Sequence, residues 1–201
     1  MVPPPGRKAI EVGCGEGRVT RDLTSRGHEV TAIDASPTMT RYADDHGAYV
    51  VADAASLPFP AASFDLAIAH NSLMDVDDMP AAVAETARVL QRGGRLCVCI
   101  THPINDAGAF SAREAGAPFI ISGQYLEPRT LDETLSRAGL EMRFHSKGYP
   151  LEDYSCAFEA AGMVIENLRE PAADAGAVAR DPSEHRWQRL PMFLQLRLLK
   201  Q

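Results

Sequence analysis

The chain has 201 residues, 45% of them hydrophobic, with 20 Lys or Arg against 27 Asp or Glu and a formal net charge of -7. That is enough apolar material for one sizeable core, and an acidic chain without a Lys/Arg block is poorly suited to capturing nucleic acid. No run approaches the roughly 20 apolar residues of a membrane span, and the opening "MVPPPGRK" lacks the apolar stretch of a signal peptide, so a cytoplasmic single domain over residues 1–201, with neither membrane nor nucleic acid as partner, is expected.

Strand-like and helix-like patterns alternate from residue 8 onward. "KAIEV" reads as a first strand, residues 17–26 as a helix, "HEVTAID" as a second strand, residues 37–45 as a helix and "AYVVAD" as a third strand. "FDLAIAH" follows as a fourth strand, residues 80–91 as a helix and "RLCVCITH" as a fifth. This alternation implies a parallel sheet with crossover helices. Ser36 before Pro37 reads as an N-cap, Gly27 and Gly47 as C-terminal stops, and Asp77 or Asp78 as a cap for the third helix. In that helix Val83, Ala87 and Leu90 form one apolar stripe that should face the sheet.

Residues 103–150 break the pattern and form a long polar insertion, of the kind that usually carries function. Within it "TLDE" has the form of a capping box while "LEMRF" alternates like a strand, leaving a short helix and a hairpin both open. A helix over 151–161, a strand "MVIENLRE", a polar loop over 171–190 and a last strand "MFLQLRLL" complete the chain, and the last two strands should pair antiparallel. Four cysteines, Cys14, Cys97, Cys99 and Cys156, show no CxxC spacing, so reduced thiols and no metal site are expected.

The candidate site lies in "AIEVGCGEG". A glycine turn between a first strand and a helix is where doubly wound sheets bind nucleotide-like ligands. Gly13, Gly15 and Gly17 read G-x-G-x-G rather than the dinucleotide G-x-G-x-x-G, and no G-K-[ST] follows them. Glu11, at the strand end, would repel a pyrophosphate and attract a cationic ligand. Asp34 ends the second strand 21 positions after Gly13, suited to a ribose diol, and Asp53 ends the third, suited to an adenine amino group. Adenine, ribose and a cationic end together describe S-adenosylmethionine.

With "IDASPTM", "ADAASLPFPAASFDLAIA" and "ETARVLQRGGRL", the chain resembles the class I S-adenosylmethionine-dependent methyltransferases (methyltransferase type 11), closest to the small-molecule branch that includes the quinone C-methyltransferases. The resemblance runs from Lys8 to His102 and more loosely beyond. It implies an α/β, Rossmann-like, doubly wound seven-stranded sheet in the order 3-2-1-4-5-7-6, with the last strand antiparallel. It also implies that Gly13, Cys14 and Gly15 hold the methionine part with Glu11 near its ammonium and Gly17 closing the turn. Asp34 and Ala35 would lie at the ribose, Met39, Asp53 and Ala54 at adenine, and the His70 backbone at the sulfonium. Relatives of this kind carry an N-terminal helix over the cofactor, whereas here seven residues precede the first strand. Either the start is truncated or the 103–150 insertion serves as the lid.

The expected function is methyl transfer from S-adenosylmethionine to an oxygen, nitrogen or carbon of a small metabolite, leaving S-adenosylhomocysteine. The alternative is a non-catalytic cofactor- or partner-binding protein. For proton removal, His102 at the end of the fifth strand and His145 in the insertion are the candidate bases. "AHNSLMD" lacks the N-P-P-[YF] pattern of nucleobase and amide N-methyltransferases, and Asp75, Asp77 and Asp78 read as a solvated helix start.

Overall fold

The computed structural model describes residues 1–43, 47–137 and 140–201, and of residues 133, 135, 137 and 140–145 the backbone alone. In chain order the elements are β1 (Lys8–Val12), α1 (Arg18–Ser25), β2 (Glu29–Asp34), α2 (Pro37–Tyr42), β3 (Ala48–Val51), β4 (Phe64–His70), α3 (Met79–Val89) and β5 (Leu90–Thr101). After a 3-10 turn (Pro103–Asp106) come β6 (Gly108–Phe110), β7 (Phe119–Ile121), β8 (Arg129–Arg137), β9 (Leu140–Gly148), α4 (Leu151–Ala160) and β10 (Met163–Arg169). The chain then forms α5 (Ala175–Arg180), a second 3-10 segment (Pro182–Gln188) and β11 (Phe193–Lys200).

Seven strands form one sheet in the order β3-β2-β1-β4-β5-β11-β10. The first five are parallel, and β11 lies antiparallel to both β5 and β10. This is the Rossmann-like order that the resemblance implies. Alternation along each strand sends side chains to opposite faces. On one face Ile10, Val12, Ala67 and Val98 pack with Val83 and Ala87 of α3 and Phe158 of α4. On the other Ala9, Leu66, Ile68 and Cys97 pack against Leu23 of α1.

Local chemistry explains most element ends. Ser36 caps α2, its hydroxyl accepting from the Met39 N–H at 3.3 Å, and Asp78 caps α3 by accepting from Ala81 at 3.0 Å. The third helix stops at Val89, two residues before the expected end, because Leu90 already pairs with Phe64 in the β4–β5 ladder. Residues 44–46, part of the expected second helix, lie outside the described residues. The 103–150 insertion resolves as the antiparallel β8–β9 hairpin and the short β6–β7 pair. "TLDE" therefore starts a strand and caps no helix. The loop over 171–190 holds two short helical segments, each with its own aspartate cap, Asp174 accepting from Ala177 and Asp181 from Ser183.

Candidate cofactor cleft and active site

The three glycines of the first turn all adopt left-handed φ: Gly13 at 74°, Gly15 at 53° and Gly17 at 80°. At two of them close approach adds to the backbone requirement. A Cβ on Gly13 would sit 2.4 Å from the Ser72 Cβ, and one on Gly17 would sit 2.5 Å from the Tyr49 hydroxyl. The absence of side chains thus lets the exit of β4 press against the exit of β1, where Ser72 donates to the Val12 carbonyl at 2.6 Å. The amides of Gly13 and Cys14 both donate to the Ile33 carbonyl at 2.9 Å, tying the turn to β2.

Asp34 completes that corner. One carboxylate oxygen accepts from the Gly15 N–H and the other from the Ser36 N–H, both at 2.8 Å. Each oxygen keeps a further acceptor site, as a ribose diol requires. Asp53 accepts from Ala55 at 2.9 Å through one oxygen, and its other oxygen has no partner among the described residues. A cleft of about 420 Å³ opens over these groups, lined by Gly13, Gly15, Asp34, Ala35, Met39, Asp53 and Ala54 from the expected set. Its size lies in the range of small-molecule sites, roughly 300 to 1,000 Å³. The apolar wall of Ile33, Ala52 and Met39 between the two carboxylates fits a nucleoside base and sugar, so the residues present suit S-adenosylmethionine.

Four expected residues do not line this cleft. Glu11 is 2% exposed and faces the Thr20 hydroxyl, which donates to its carboxylate. Burial is the main reason its pKa is pushed up to about 7, with the Thr20 hydrogen bond partly opposing it. The charge the sequence argument relied on is therefore only partly present at neutral pH. Cys14 is buried, its thiol pushed up to about 12, chiefly by desolvation and then by the Glu11 charge. Gly17 sits at the N-cap of α1 beneath Tyr49. The His70 side chain lines a separate cavity with Arg18, Ile68 and Cys97 on the α1 face of the sheet.

Of the candidate bases, His102 has both ring nitrogens engaged. Nδ1 accepts from the Ile104 N–H at 3.2 Å, which leaves the hydrogen on Nε2, 3.0 Å from Glu170. His102 thus caps the first 3-10 turn and lines neither the cleft nor the cavity beside it. His145 falls in β9, and its side chain lies outside the described residues.

The exit of β4 contributes the residues that sequence reasoning passed over. Asn71, Ser72, Asp75, Val76 and Asp77 all line the cleft. Asn71 holds a left-handed φ of 51°, its N–H donating to the Cys99 carbonyl at 2.7 Å while its buried side-chain oxygen has no partner among the described residues. A helix-start explanation holds for Asp78 alone of the three aspartates; Asp75 lies on the wall of the site. The available signal was position, since ligands bind at the carboxyl ends of strands in such sheets. A second cavity of about 430 Å³ shares Asn71 and Asp75 with the cleft and extends to Asn105, Ser146, Lys147 and Tyr154.

The fold and the cleft are those expected of an S-adenosylmethionine-binding α/β sheet. By sequence, residues 10–98 match the family described as a methyltransferase domain. The chain is 36% identical over 93 residues to a malonyl-[acyl-carrier protein] O-methyltransferase of Serratia marcescens, covering 45% of this chain and 36% of that one. It is 36% identical over 104 residues to a demethylmenaquinone methyltransferase of Tropheryma whipplei, covering 49% and 44%. The chain thus spans under half the length of these two curated relatives. The crystal structure of an S-adenosylmethionine-dependent methyltransferase from Mesorhizobium loti superposes with a TM-score of 0.81 at 22% identity, over 99% of this chain and 94% of that one, which establishes the fold.

Proposed function

We propose that this protein transfers the methyl group of S-adenosylmethionine to a small metabolite. The observation that carries the proposal is the wall at Asn71 and Asp75, which a cleft suited to the methyl donor shares with a second cavity. A protein that only sensed the cofactor would have no use for that second space. Asp34 would receive the ribose hydroxyls and Asp53 the adenine amino group, with Met39 and Ala54 along the base. The bound cofactor supplies a sulfonium, an activated methyl carrier that needs no help from an acid. What remains for the chain is alignment of the acceptor and removal of its proton.

Residues 131, 146 and 147 of the insertion wall the second cavity, which supports reading 103–150 as the substrate-side part of one domain. A cytoplasmic location fits the four free cysteines, and no helix among the described residues is long and apolar enough to cross a membrane.

Thermal unfolding with S-adenosylmethionine, S-adenosylhomocysteine or NAD tests the proposal. A ligand at about 100 times its Kd stabilises by about 2.7 kcal/mol. Stabilisation by the first two and not by NAD is the expected result. Stabilisation by NAD alone, or by none, would overturn it.

A further inference from the structure

The second cavity has an unused carboxylate on the wall that it shares with the cleft. The Asp75 side chain, exposed to the space of the two cavities, has neither a hydrogen-bond nor an ion-pair partner among the described residues. Its backbone is fixed, the N–H donating to the Ser72 carbonyl at 2.9 Å, so the carboxylate stands at a set place on the wall common to both cavities. Tyr154, 2% exposed, lines the acceptor-side cavity, and its hydroxyl has no partner among the described residues. Lys147 also lines it, but its ammonium donates to the Asp77 carbonyl. On the same walls the buried Asn71 side-chain oxygen has no partner among the described residues, and buried polar groups left unpaired are costly unless something arrives to meet them.

Resting on the methyltransferase reading, we propose that Asp75 receives the reacting O–H or N–H of the acceptor and takes its proton, and that the second cavity selects acceptors presenting a hydroxyl or an amine over those presenting a carboxylate. Asn71 and Tyr154 are the neighbours able to orient that group. The acceptor's lone pair forms the new bond to the methyl carbon, the C–S bond breaks with its electron pair passing to sulfur, and the acceptor's proton goes to the Asp75 carboxylate and on to solvent. A carboxylate acceptor has no proton to give at neutral pH, and it would meet Asp75 with like charge. Partial desolvation by the surrounding walls raises Asp75 to about 6, which leaves it ionised at neutral pH yet basic enough to accept a proton.

The test uses protein saturated with S-adenosylhomocysteine and calorimetric titration of three probes of one shape: benzylamine, benzyl alcohol and benzoate. Benzylamine should bind at least about tenfold more tightly than benzoate, and Asp75→Asn, whose fold is checked by its melting curve, should erase that preference. In parallel, a plate of phenols, primary amines and carboxylic acids is read for S-adenosylhomocysteine release from S-adenosylmethionine. Active compounds should fall in the first two classes, each slowed by about 100-fold or more in Asp75→Asn and partly recovered in Asp75→Glu. Benzoate binding as tightly as benzylamine, a preference that survives Asp75→Asn, or turnover confined to carboxylic acids would overturn the inference. Failure of S-adenosylhomocysteine itself to bind would instead strike the methyltransferase proposal.

Discussion

Replacing Glu11 by Gln should stabilise the protein in the absence of cofactor, and more so at alkaline pH. Glu11 is 2% exposed, and its carboxyl is raised from 4.5 to about 7 by burial. The native state therefore holds this proton more tightly than the unfolded chain does. The contribution to stability is fully present below about pH 4.5 and is lost as pH rises to about 7, a shift of roughly 2.5 units or about 3 kcal/mol. Glutamine is neutral throughout and can still accept from the Thr20 hydroxyl. Its side-chain amide, if left unpaired, returns about 1 kcal/mol of the gain. The expected advantage at about pH 8 is thus roughly 2 kcal/mol, or about 4–8 °C in Tm for a domain of this size. At about pH 5 it should nearly vanish, because wild-type Glu11 is then protonated in the native state. Urea unfolding of both proteins at the two pH values measures it. An advantage of equal size at both, or none at about pH 8, would refute the reasoning.

Other consequences follow from the same corner. The resemblance puts the ligand's ammonium beside Glu11, which would then have to ionise, so on that placement S-adenosylhomocysteine binding at about pH 6 should release close to one proton, read from calorimetry in buffers of different ionisation enthalpy. Methylthioadenosine, which lacks the ammonium, should release almost none; equal release by both would remove Glu11 from the methionine site. Asp34→Ala loses two backbone hydrogen bonds and the ribose acceptor, and S-adenosylhomocysteine affinity should fall by about 10- to 100-fold in a direct titration. Gly13→Ala should cost about 2–4 kcal/mol, since its Cβ meets Ser72 at 2.4 Å, whereas Gly6→Ala, with similar φ and nothing within 4 Å, should cost about 1 kcal/mol. Equal losses in chemical denaturation would show that φ alone matters.

The sequence by itself determined the strands of the sheet, the helices between them and their order along the chain, outside 103–150 and 171–190. Strand and helix periods, the Ser36 cap and the glycine turn are interactions between near neighbours in the chain, and they act the same way wherever the segment ends up. Asp34 and Asp53 were legible for the same reason, because the tip of a strand in a parallel sheet is a predictable place. What the tertiary structure decided were the partners of side chains whose neighbours come from distant segments. Glu11 turned toward Thr20 because α1 folds back over β1, and His102 was held in its capping role by Glu170, just past the end of β10, on its other ring nitrogen. Asp75 was separated from a helix-start role only by β4 emerging next to β1, two strands far apart in sequence whose contact puts Ser72 on Gly13 and the following turn over the cleft. Local pattern cannot encode such meetings, since each depends on the free energy of the whole sheet closing.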